Sequence, residues 1–78
     1  MTATPAEIPS RLVDQLITLY CNWRAECALV KVAYERFSRA APRERAIAFA
    51  AYGAALDREA SAADSYASQV DLVTSMCV

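Results

Sequence analysis

The chain has 78 residues, a net charge of −1 and 56% hydrophobic residues, with a single glycine and three prolines. That composition excludes a disordered segment and a β-rich fold, and the length allows one domain at most. The near-neutral balance calls for no nucleic-acid partner and no anionic membrane surface, and no apolar run is long enough to span a bilayer. Residues 1–10 carry neither a positive charge nor an apolar core, so the sequence predicts no secretory signal and a cytoplasmic location.

Residues 1–8 are expected to form a flexible N-terminal tail. Thr4-Pro5-Ala6-Glu7 matches a capping box with proline at the first helical position. Pro9 would then clash with the carbonyl of Pro5 one turn inside that helix, so at most a short turn fits there. A hairpin domain over 9–78 follows, with its first helix at 9–39. Val13, Leu16, Tyr20, Trp23, Cys27, Val30, Tyr34 and Phe37 recur at alternating spacings of 3 and 4, which is one stripe along a helix. Such large side chains need a second helix to cover them.

Pro42 pushes the residue before it out of the helical region and can itself open a helix, with Glu44 in its first turn. The sequence therefore predicts a turn at 40–42 and a second helix at 42–75, antiparallel to the first. Phe49, Tyr52, Leu56, Glu59, Ala63, Tyr66, Val70, Val73 and Cys77 form its stripe. A row of small residues, Ala46, Gly53, Ala60 and Ala67, runs beside it at spacing 7 and is expected to let the two backbones approach. With the turn centred on Ala41, facing residue numbers sum to 82 or 83, which sets Tyr34 by Phe49 and Trp23 by Glu59.

Two helices leave apolar surface over. Cys21, Ala25, Ala28, Leu29 and Val32 make a second strip on the first helix, and Ile47, Ala50, Ala51 and Ala54 another on the second. That exceeds the few hundred Å² of contiguous apolar surface a soluble monomer usually exposes. The predicted fold is thus all-α: two long antiparallel helices forming an αα-hairpin that dimerises into a four-helix bundle, with Cys21, Ala25, Leu29, Val32, Ile47, Ala51 and Ala54 at the interface. Four arginines (Arg36, Arg39, Arg43, Arg45) against Glu44 give the turn a net +3. Asp57, Glu59, Asp64 and Asp71 against Arg58 give residues 57–71 a net −3. That pattern favours an antiparallel homodimer.

Glu59 is the one charged residue on its stripe. The expected role is a buried polar contact that fixes register, through an ion pair with Arg24 or a hydrogen bond from Trp23 or Tyr20. The sharper alternative is a small-molecule or metal-binding bundle that uses Glu59 and the core tyrosines, Tyr20, Tyr34, Tyr52 and Tyr66. A second alternative is nucleic-acid regulation through Arg36, Arg39, Arg43 and Arg45, a weak signal without a glycine-rich loop or interleaved aromatics. The chain has no histidine, so its serines lack a base and no di-iron or structural zinc pattern can be assembled. Cys21, Cys27 and Cys77 are expected to be reduced thiols, with Cys77 the candidate for an intermolecular disulfide.

Size and hairpin layout resemble the small secreted helical-hairpin proteins named for a Trp-x-Gly turn. Here Trp23 lies mid-helix, followed by Arg24-Ala25, the turn carries Pro42, and Tyr66 and Asp71 are one residue too far apart for that family's C-terminal signal. No family is assigned from these residues; the alanine and arginine usage suggests a high-GC bacterial or phage genome. The expected function is a non-enzymatic, self-associating protein-interaction module, an adaptor or regulator, with no cofactor and a protein partner the sequence does not identify.

Overall fold

A computed structural model describes residues 8–76, so the capping-box segment Thr4–Glu7 and Cys77 lie outside the described residues. The first helix, α1, runs over Ser10–Arg39 and the second, α2, over Arg45–Ser75, with a 3-10 turn at Pro42–Glu44 between them. No strand occurs among the described residues. At 1.5 Å per residue each helix is ~45 Å long.

Pro9 stands just before α1 in an extended conformation, and its carbonyl accepts the Leu12 N–H at 3.0 Å. A proline fits there because the N–H it lacks would have had no partner in the helix. Arg36 and Arg39 fill the last turn of α1, where the exposed carbonyls favour cations. Ala40 and Ala41 then swing into extended geometry, as a residue ahead of Pro42 must. Pro42 opens the 3-10 turn rather than α2 itself, and α2 begins three residues later at Arg45.

Those extra turn residues move the register. Tyr20 meets Tyr66, Tyr34 meets Tyr52, and Phe37 meets Phe49, at centroid distances of 5.5, 5.6 and 5.4 Å. The numbers in each of these pairs sum to 86, whereas Trp23 bonds Glu59 as the sequence predicted, at a sum of 82, so cross-seam contacts spread about a turn centre near residues 41–43.

The seam also differs from the predicted stripes by one flank. On α1 the residues turned inward are Leu12, Leu16, Leu19, Trp23, Glu26, Cys27, Val30, Ala33 and Phe37; on α2 they are Ala48, Tyr52, Gly53, Ala55, Glu59, Ala62, Ala63, Tyr66, Gln69, Val70 and Val73. Leu16, Trp23, Cys27, Val30, Phe37, Tyr52, Glu59, Ala63, Tyr66, Val70 and Val73 are shared with the predicted stripes. The rest come from the neighbouring row on each helix. Val13, Tyr20 and Tyr34 of α1, and Phe49 and Leu56 of α2, are left 37–59% exposed along one edge of the hairpin. The helices close on alanines, and Ala55 is the one apolar residue fully buried among those described, at 1% exposure. The rings of Tyr20, Tyr34 and Phe49 lean over the edge and pack on the inward rings of Tyr66, Tyr52 and Phe37.

The small-residue row is likewise displaced. Ala46, Ala60 and Ala67 are exposed, and a Cβ on Gly53 would meet nothing within 4 Å. Gly53 therefore serves no close approach inside the hairpin, contrary to its expected role.

Candidate interaction surface

The two helices lie side by side and present two broad faces. One is the aromatic edge just described. The other is built from residues that a helical period of 3.6 brings to the opposite flank of the seam. Ala25, Leu29, Val32 and Arg36 come from α1; Ile47, Ala51, Ala54 and Arg58 come from α2. On this face Leu29 is 48% exposed, Val32 41% and Ile47 75%. Ala25, Ala51 and Ala54 are exposed as well. Together they cover the residues that the sequence nominated as an interface, except that Cys21 sits further round, on the outward side of α1, where it is exposed.

A shallow groove of about 930 Å³ follows this face, floored by Leu29, Val32, Ala33, Ala48 and Ala51. Its rim is charged, with Glu35, Arg36, Arg39, Glu44 and Arg58. An apolar floor inside a charged rim is the usual anatomy of a protein–protein contact. Further from the turn the same side becomes polar. A second groove of about 410 Å³ there is lined by Asn22, Glu26, Arg58, Ser61 and Ser65 besides Leu19, Ala25 and Ala62.

Four polar contacts cross the seam. The Trp23 indole donates to Glu59 Oε2 at 2.7 Å, and the Cys27 thiol approaches the same oxygen at 3.9 Å. The Gln69 amide, 8% exposed, donates to the Leu12 carbonyl at 3.1 Å. Glu26 Oε1 lies 3.4 Å from Arg58 Nε. That oxygen is buried yet accepts no hydrogen bond, so Arg58 is held close without being aligned on it.

Arg24 does not pair with Glu59. Next to Trp23 on the helix, it is turned about 100° away from the seam, and its guanidinium carbon lies 5.8 Å from the Trp23 ring centroid. Trp23 itself stacks on Tyr66 at 5.6 Å and meets Tyr20 edge-on at 6.1 Å. Sequence reasoning missed Glu26, Arg58 and Gln69. For Glu26 and Gln69 the available signal was the heptad row Leu12, Leu19, Glu26, Ala33, Ala40 and its counterpart Ala48, Ala55, Ala62, Gln69, Met76, passed over because the neighbouring rows hold larger side chains; Arg58 lies in neither row.

Of the arginines at the turn, Arg36 and Arg39 rim the groove. Arg45 reaches back to the Ala40 carbonyl at 3.5 Å and lies 5.8 Å from the Phe37 ring centroid. Arg43 is exposed. Among the described residues no three Cys, Asp or Glu side chains gather as metal ligands, and no helix is long and apolar enough to cross a membrane.

Fold and surface together define a helical hairpin with one open apolar face and one aromatic edge. Compared with known proteins, the chain matches no family model, no curated protein and no solved structure.

Proposed function

We propose that the protein is a non-enzymatic helical interaction module. It self-associates, as a homodimer that completes a four-helix bundle, and acts through protein contacts as an adaptor or regulator. One observation carries this reading: Leu29, Val32 and Ile47, exposed at 48%, 41% and 75%, lie together on one face within a charged rim. Fully burying a large aliphatic side chain is worth ~1.5–3 kcal/mol, and this face holds three that the described residues cover only in part. A ligand site on Glu59 and the tyrosines has less support. Tyr20, Trp23 and Tyr66 pack on one another at 5.5–6.1 Å and occupy the space that such a ligand would need.

Sedimentation equilibrium across the micromolar range tests the proposal. A dimer with the mass of two chains is expected. A single species with the mass of one chain at every concentration would refute self-association.

A further inference from the structure

We propose that the occupant of the Leu29/Val32/Ile47 face is a second copy of this chain, docked antiparallel and offset toward the turn, with the twofold axis passing by Val32 and Ala54. This rests on the self-association proposed above and adds to it a face, a direction and a register.

The position of the axis follows from the extent of the apolar floor. Glu26 with Arg58 and Phe37 with Phe49 show that residues level with each other across the hairpin have numbers summing to about 85. Ile47 is thus level with about position 38 of α1. The floor runs from there down to Ala25, roughly 20 Å at 1.5 Å per residue. Below Ala25 the surface turns polar, at Asn22, Ser61 and Ser65. The midpoint of the apolar stretch falls at Val32 on α1 and Ala54 on α2.

Rotation about an axis through that midpoint lays each helix over its own counterpart. Val32 faces Val32 of the partner subunit, and the small Ala54 side chains let the second pair of helices close. Leu29 falls well within the covered length, and Ile47 at its end.

Charge selects the direction. A parallel pair would stack two turns of net +3 on each other. The antiparallel pair brings Arg39 level with Ala25 and Glu26 of the other copy. The Glu26 side chain is 28% exposed and lines the polar groove below the apolar floor. Its exposed part is what a guanidinium from the other chain can approach, beside Arg58. The symmetry makes this contact twice.

Four variants test the arrangement in the full chain, with circular dichroism confirming that each stays helical. Ile47→Glu, on the proposed face, is expected to weaken the dimer about 100-fold by placing a charge in the apolar floor. Phe49→Glu, on the aromatic edge, is expected to leave it within about twofold. Arg39→Glu should weaken it about fivefold, less so at high salt. Val32→Cys, with the three native cysteines replaced by serine, should oxidise to a covalent dimer.

If the wild type dimerises but Phe49→Glu dissociates it and Ile47→Glu does not, the face is wrong while self-association stands. If Val32→Cys alone fails to cross-link and a mixture with Ala54→Cys does, the direction is wrong. A wild-type monomer at high micromolar concentration overturns both proposals.

Discussion

At the scale of single residues, the seam is held as much by polar contacts as by burial. Trp23 and Glu59 are both half-buried, and the 2.7 Å bond between them joins a neutral donor to a carboxylate. A carboxylate partly out of water costs free energy unless a donor meets it. Trp23→Phe keeps a ring on Tyr66 and removes that donor. It is expected to cost about 1–3 kcal/mol in chemical denaturation. Trp23→Phe in a Glu59→Met background, which has no comparable acceptor, should cost clearly less, and the difference isolates the bond from the lost ring volume. Equal costs in both backgrounds would mean that Glu59 is satisfied by water. Gly53 gives the opposite kind of prediction. It lies mid-helix with open space where a Cβ would be. Gly53→Ala should therefore raise stability by about 0.5–1 kcal/mol, by restricting the unfolded chain and raising helix propensity. A loss of stability would show that Gly53 touches something outside the single hairpin.

At the scale of the two helices, what matters is which flank of each stripe faces in. Ala55 is 1% exposed at the close approach, whereas Ala54 beside it is exposed. Ala55→Leu should push α1 and α2 apart and cost about 1–3 kcal/mol, measured by thermal or urea denaturation. Ala54→Leu should leave the hairpin itself nearly unchanged, though it would disturb a copy docked on that face. The contrast explains how much of the fold could be read from residues alone. The helices, their antiparallel order and the role of Pro42 as a break follow from local chemistry: alternating 3 and 4 spacing, a proline's steric demand and a short connection. The shared inward positions Leu16, Trp23, Cys27, Val30 and Phe37, with Tyr52, Glu59, Ala63, Tyr66, Val70 and Val73, follow from the same period. Choosing between the rows on either side does not. Side-chain size favoured Tyr20, Tyr34 and Phe49, but the spacing between backbones is a tertiary property, and it favoured Ala33, Ala48 and Ala55. The apolar strip at Leu29, Val32 and Ile47 was legible because it lies far round each helix from either candidate row. Glu26 and Gln69 were not, because a polar side chain announces its burial only once the row it belongs to is known.

For the molecule as a whole, stability and association are expected to be one equilibrium. A hairpin of two helices fully buries one apolar and one polar residue among those described, Ala55 and Gln69. Chains of this size seldom hold a fold on so thin a core without a further source of burial. If a second copy supplies it, unfolding releases two chains, and mass action then makes the melting temperature depend on protein concentration. Each tenfold rise in concentration adds about 1.4 kcal/mol per dimer, which for a domain of this length moves the midpoint up by roughly 3–6 °C. Calorimetry on the wild type at two concentrations tenfold apart reads that slope directly. The Ile47→Glu variant should melt lower and show no slope, because the exposed side chain, 75% accessible in the lone hairpin, contributes little to folding except through the other copy. A concentration-independent midpoint for the wild type, at a temperature that Ile47→Glu does not change, would mean that the hairpin is stable alone and that its open face is kept for a different molecule.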